Sequence, residues 1–573
     1  MAKLHDIIPD RGQRKIIYSD INFNILAIAP PGAGKTTVMA KRIQYLLNNN
    51  LIPKPFKILG LTFSNAAANE MKKRISTEDF ENRVQITTFH SFAFSALKSY
   101  GYCIGINNDF RIISEYEKDK TLNKLIKIEF QTLLRKFAGI NRKKEEKELR
   151  RKYNGWFLEI VLKCNNSYHC EEESSFLLIL QQYRKILSKS DLIDHDHILY
   201  YANELFDNNP KILSYYSAVF KSIIIDEFQD TNMLQYKLLK KIFEFQKGFN
   251  QILILADPNQ AIYSFQGATP KNIDKAMDEF QCNKLFLKNN HRIASKEIKT
   301  LLENFSLKFE NLNHPEIYES EKICLDLFPD EDNEKRYVIY CINELIQKGV
   351  SFHEIAILAP AKYVFDGLPS KLKEKNWDFV YIPELSKNNI LEKYDLFFKE
   401  LLKYQKQGEK LQDVVESIAK DFSIDKDVVK ILVSFSKKYD SKNFQNLPLY
   451  EKINKFYNDF TLNFNIEDSI QKNFKNRLFI STIHGAKGLE FDNVIIIGLN
   501  SGVIPHFTFC NQCNGNSDEN DLLEYLNLLN VGISRAKKKL FLGGARSMYG
   551  YQKHGTCLLK NCVDFKDLII VDK

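Results

Sequence analysis

Short apolar runs bounded by turn residues recur along the first part of the chain, each followed by a stretch whose apolar positions repeat at helical spacing. Residues 24–29 form the first run; a Pro/Gly turn follows, and an amphipathic segment extends over about 35–47. Residues 57–63 then lead into the Ala-rich stretch 66–75, and 84–88, 222–226 and 251–256 read as further strands. Near-continuous apolar strands alternating with helices predict a parallel sheet covered on both faces. From about residue 101 to 206 the rhythm gives way to long charged stretches of helical periodicity, which predict a helical insertion. A second series at 322–327, 355–358, 477–480, 494–497 and 539–543 predicts another parallel sheet, interrupted by a Lys-rich helical stretch. The fold class is therefore α/β. The expected boundaries are a first core at 1–99 and 206–294 with an insertion at 100–205, and a second core at 295–400 and 476–573 with an insertion at 401–475.

Composition narrows this picture. A length of 573 residues suits three to four domains or subdomains rather than a single core. The 44% hydrophobic and 27% charged fractions exclude a disordered or fibrous chain. No apolar run approaches the ~18 residues a membrane span needs, so no membrane partner is expected. Ten cysteines are too dilute for a disulfide scaffold and predict reduced thiols in a cytoplasmic setting. A formal charge of +9 favours a polyanionic partner without naming it.

The turn after the first run has the pattern of a phosphate-binding loop. It comprises Ala29, Pro30, Pro31, Gly32, Ala33, Gly34, Lys35 and Thr36, with Thr37 following in the helix. Between a strand and a helix N-terminus, its backbone N–H groups can cradle ATP phosphates, Lys35 can reach the β/γ oxygens, and Thr36 can offer a hydroxyl to Mg²⁺. Such a site also needs carboxylates for the metal and for the attacking water. Asp226 and Glu227, at the end of an apolar strand, supply a metal ligand and a general base.

The run Asp226-Glu-Phe-Gln-Asp-Thr-Asn232, with Gln235, resembles the UvrD/Rep/PcrA branch of superfamily one DNA helicases. Similar segments follow the family's order: Leu61-Thr-Phe-Ser-Asn65, Thr88-Phe-His-Ser91, Asp257 to Ala268, Leu287 to Arg292, Thr482 to Phe491, and Val531 to Ala536. The resemblance implies two RecA-like motor domains with helical insertions. It implies an ATP- and Mg²⁺-dependent, 3′-to-5′ motor on single-stranded or tailed duplex DNA. It further implies that Gln13 reads adenine, Gln260 senses the γ-phosphate, Arg292 and Arg535 act as arginine fingers, Glu490 contacts ribose and Arg42 contacts the nucleotide. Phe63, Tyr263 and Phe265 would stack on bases, and Asn65, Thr88, His90 and His484 would touch backbone phosphates.

Three departures stand out. Phe265-Gln266 replaces a Trp-Arg pair, His291 replaces a tyrosine that stacks on adenine, and Asn527 replaces an arginine. The stretch 401–475 also leaves room only for a reduced second insertion. Short proteins of this kind accompany a nuclease or other protein partner, as in Gabija-type antiphage systems, so an assembly subunit with little unwinding of its own is the alternative. The basic run 142–152 equally describes a solvated helix or a nucleic-acid face, and Cys510 and Cys513 have only partial zinc-ligand spacing.

Overall fold

The computed structural model describes residues 8–75, 80–136, 142–245, 250–310, 323–406, 408–464, 476–506, 519–560 and 562–568. Two parallel sheets organise the molecule. The first runs in the order Val84–Thr88, Lys57–Thr62, Phe220–Ile225, Gln251–Ala256, Ile25–Ile28, Asn283–Phe286. Every pair in it is parallel. The central strand Gln251–Ala256 is buried along its whole length, whereas Val84–Thr88 at the edge alternates between buried and half-buried positions. Helices on both faces account for this contrast.

The second sheet has seven parallel strands, ordered Phe379–Tyr381, Leu478–Thr482, Ile355–Ala359, Phe491–Ile496, Ala536–Ala545, Cys324–Phe328, Asp564–Asp567. Its core is continuous with that of the second insertion: Phe397, Leu411, Ile431, Phe456 and Phe460 share one buried cluster with Ile483 and Val494.

The first insertion packs helices Glu115–Glu129, Arg142–Phe157 and Glu173–Lys189 around Trp156, Tyr153 and Phe176. Its two ends are tied by a short parallel pair, Arg111–Ile112 with Leu192–Ile193. The second insertion begins earlier than expected. The edge strand Phe379–Tyr381 pairs with Leu478–Thr482, and helices run from Ile382–Leu385 onward to Leu449–Asn463, so the boundary lies near 382 rather than 401. The last of these helices reaches back to the first half of the chain. Ile112 N donates to Asn458 Oδ1 (2.9 Å), and Leu462 is buried in the first sheet's cluster. Among the described residues, no helix is long and apolar enough to cross a membrane.

Candidate active site and nucleic-acid interface

The strand Ile25–Ile28 ends between its two sheet neighbours, where Ala29 N donates to Ala256 O (2.9 Å). The C-terminal edge of a parallel sheet at such a crossover is where ligands bind in open α/β folds. Gly32 (φ 77°) and Gly34 (φ 81°) turn the loop through left-handed backbone. Gly34 opens helix Lys35–Asn48 without a capping side chain, which leaves first-turn N–H groups for an anion. Side chains wall the loop closely: a Cβ on Gly34 would lie 2.8 Å from Gln13 Nε2, and one on Gly32 would lie 2.5 Å from Asn290 Oδ1. Gln13 Nε2 donates to Ala33 O (3.0 Å), Asn290 Nδ2 to Pro31 O (2.9 Å) and His291 N to Gly32 O (2.9 Å). The loop conformation is thus set by both flanks.

Lys35 is buried, with Nζ 3.2 Å from Ala29 O and 3.6 Å from Glu227. Burial alone would lower its pKa, but the carboxylates of Glu227, Asp257 and Asp226 outweigh it and raise the pKa. Burial, then the neighbouring Glu227, push Asp226 upward against Lys35. Glu227 goes downward: burial opposes the shift, but Lys35, Lys487 and the Gln229 amide prevail. The Thr36 hydroxyl bonds Asp226. A hydroxyl and a carboxylate form a hard oxygen pair that suits Mg²⁺, and a cation there would relieve two desolvated like charges. Glu227 has φ 52°, so the chain kinks sharply after the strand and aims its carboxylate beside Lys35. Gln229 ties this turn to the next strand end, with Nε2 donating to Glu227 and Oε1 accepting from Asp257 N.

Across the cleft, Gln260 Nε2 donates to Asp257 and its Oε1 accepts from Arg535 Nη2 (3.3 Å). Arg535 is 2% exposed and also donates to Val531 O and Leu489 O (both 2.9 Å). Arg292 pairs with Glu490 (2.8 Å), which Lys537 also engages (2.7 Å). Burial raises the Glu490 pKa, but Arg292 and Lys537 bring it below the usual carboxylate range. His291 Nε2 lies 2.9 Å from Asp10 Oδ2, and Asp10 caps the helix containing Gln13, so His291 and Gln13 share one edge of the site.

Two residues expected at the nucleotide bond protein groups. Arg42 has no exposure and donates to Ile17 O (3.0 Å) and Ser19 O (2.6 Å), so it braces the segment behind the Gln13 helix instead of facing the phosphate loop. The Thr37 hydroxyl accepts from Arg74 Nη1 (2.9 Å).

The aromatic track is assembled from both cores. Phe63 and Tyr263 stack at 4.5 Å, and Phe265 and His484 lie 5.9 Å and 6.5 Å from Tyr263. Phe265 is 56% exposed, a ring open to a flat ligand. Burial, then Lys487, push His484 down to about 4, so it is a neutral donor or acceptor at neutral pH. The expected phosphate contacts are covered. Asn65 Nδ2 donates to Asn463 O (3.1 Å) and Oδ1 (3.3 Å), and Ser91 Oγ donates to the same Oδ1 (2.6 Å). Thr88 Oγ1 accepts from Ser91 N (3.1 Å) as a helix cap. The His90 ring is half-buried and stacks on His195 at 3.7 Å, and burial together with nearby Lys387 pushes it down to about 4 despite Asp196.

A family model of the UvrD/REP helicase N-terminal domain matches residues 10–281, and one of the UvrD-like helicase C-terminal domain matches residues 382–547. The chain belongs to the UvrD-like helicases. It is 25% identical to an ATP-dependent DNA helicase Rep of Buchnera aphidicola subsp. Acyrthosiphon pisum, over 92% of this chain and 93% of that protein. It is 25% identical to a probable DNA helicase II homolog of Mycoplasma capricolum, over 96% and 86% of the two chains. With ATP-dependent DNA helicase PcrA of Staphylococcus aureus the identity is 24%, over 91% and 81%.

In this UvrD-like helicase, helix Glu519–Ile533 clasps the loop that joins Gln260 to Tyr263. Asn527 Nδ2 donates to Ala261 O (2.9 Å), Asn530 Nδ2 to Asn259 O (2.8 Å), and Ser264 Oγ donates to Glu524 (2.5 Å). Asn527 therefore holds loop backbone where an arginine was expected. Gln229, Asp230 and Lys487 lie inside the recognisable motifs, yet their bonding required the structure; Asn463 carries no sequence signal. Four of the seven cations in the basic run are ion-paired: Arg142 with Glu146, Arg150 with Asp119, Arg151 with Glu148 and Lys152 with Glu172. Cys510 and Cys513 lie outside the described residues, among which no His, Cys and acidic cluster could hold a metal.

Proposed function

We propose that this chain is an ATP-driven motor on single-stranded DNA, a 3′-to-5′ helicase or translocase that uses Mg²⁺. The observation that carries this reading is the cleft itself. Lys35, Thr36, Asp226 and Glu227 face Arg535 through Gln260, and the same loop leads from Gln260 to the track ring Tyr263. The helicase names of the relatives above support the DNA substrate, and the 3′-to-5′ direction rests on the family resemblance.

The loop amides and Lys35 bind the ATP phosphates, and Glu227 takes the proton of the attacking water. Arg535, already at Gln260, stabilises charge on the transferring phosphoryl group. Arg292 is held by Glu490 and reaches the phosphates after that pair opens. Mg²⁺, held by Thr36 and Asp226, would supply charge neutralisation between the phosphates. Closure moves the 257–266 loop and with it Tyr263 and Phe265, so a base stacked there shifts relative to Phe63.

Lys35→Ala should abolish ATP turnover in a folded protein, and DNA-stimulated turnover in that variant would sink the assignment. Strand displacement on 3′- and 5′-tailed duplexes, with DNA and RNA tracks, tests direction and substrate. A second reading is favoured by one contact: Asn463 of the second insertion occupies Asn65 and Ser91. The isolated chain then unwinds weakly and works within an assembly, with a nuclease or another partner lifting the insertion. Robust displacement by the purified chain alone counts against this second reading.

A further inference from the structure

One cation in the cleft is left unused by the hydrolytic chemistry. Lys487 lies just past strand Leu478–Thr482 and crosses to the first core with its side chain 8% exposed. Its Nζ is 2.6 Å from Asp230 Oδ2, on a side chain with no exposure, and 2.6 Å from the main-chain O of Gln260. The same ammonium lies 5.0 Å from the centre of the Tyr263 ring. Asp230 N donates to Glu227 O (3.0 Å), so its carboxylate belongs to the turn that aims the general base. One side chain of the second core thus touches the turn of Glu227, the loop of Gln260 and the ring that stacks on Phe63. Helix Glu519–Ile533, also from the second core, holds the same loop from another side.

Resting on the motor reading above, we propose that the Lys487–Asp230 pair is the positioning device through which nucleotide occupancy changes affinity for single-stranded DNA. A pair this dry tolerates little separation, because an unpaired buried charge is strongly disfavoured. When the cores move, Lys487 therefore carries the Glu227 turn and the Gln260–Tyr263 loop together, instead of letting each relax alone. Lys487 needs no contact with nucleotide or base to do this.

The test is a linkage measurement. Affinity of the full chain for a fluorescent oligothymidylate is measured with and without a non-hydrolysable ATP analogue and Mg²⁺, and the ratio is the coupling factor. In the wild type this factor should lie in the range of about 5- to 150-fold. Lys487→Met should bring it to within about two-fold of unity, and Asp230→Asn, which keeps the shape of the carboxylate, should reduce it by at least about five-fold. Loss of a merely structural contact would lower the melting temperature and both affinities and leave the ratio unchanged; that result in either folded variant overturns the proposal. If Lys487→Met does not fold, Asp230→Asn decides. A wild-type factor of unity overturns the motor reading, and this proposal with it, whereas a coupled wild type with equally coupled variants overturns only this proposal.

Discussion

At the cleft, the second core reaches the first with charged side chains: Arg535 at Gln260, Lys487 at Asp230, and Glu490 holding Arg292. At the DNA face, the second insertion reaches the first core with a neutral amide, Asn463, and with the apolar end of helix Leu449–Asn463. Buried charge pairs are strong and sensitive to distance, which suits a region that must register the arrival of a nucleotide. A neutral hydrogen bond contributes a net ~1 kcal/mol and is readily exchanged for one to phosphate. Under the proposed function, the cleft is therefore suited to sensing nucleotide and the Asn463 contact to being displaced.

The sharpest way to break this contrast is Arg535→Ala. Loss of an arginine that stabilises the transferring phosphoryl group should lower kcat about 10³-fold or more, measured as steady-state ATPase with single-stranded DNA present. Affinity for DNA without nucleotide should stay within a few-fold of wild type. If DNA affinity falls as far as turnover, the two regions are not separable. Because Arg535 also bonds Val531 O and Leu489 O, a melting curve belongs beside the kinetics.

Tyr263→Ala acts where the regions meet. Base stacking on an aromatic ring is worth ~1–3 kcal/mol, so affinity for single-stranded DNA should fall about 5- to 150-fold, read by fluorescence anisotropy. Basal ATPase should fall less than DNA-stimulated ATPase. An unchanged affinity would place the track elsewhere.

What could be read in the sequence follows the same divide. Gln251–Ala256 was legible because a strand buried on both faces must be apolar throughout. Asn283–Phe286 and Asp564–Asp567 were not, because both are mostly exposed edge strands with no apolar run. Phe379–Tyr381 spans only three residues, too short a signal to move the insertion boundary from 401 to 382. At the cleft, phosphate chemistry restricts residue type and spacing, so Lys35, Asp226 and Glu227 could be singled out from the pattern, whereas Gln260, Arg292 and Arg535 were singled out only through the family resemblance. The neighbours of Arg42 and His90 were not legible, because residue type does not tell which side of a helix a side chain leaves, or which neighbour it meets. Asn463 was invisible, since one asparagine in a helix of no recognisable motif bonds to residues hundreds of positions away.

Asn463→Ala gives the smallest and most discriminating effect. The substitution removes the Oδ1 acceptor for Asn65 and Ser91 and keeps the main-chain O, so about 1 kcal/mol of docking is lost. If the insertion competes with DNA for these groups, affinity for single-stranded DNA should rise several-fold, up to about ten-fold, and strand displacement by the isolated chain should rise with it. ATP affinity should not change, because no cleft contact is touched. A fall in DNA affinity would instead make Asn463 part of the DNA site, and the neutral contact would then hold the strand in place.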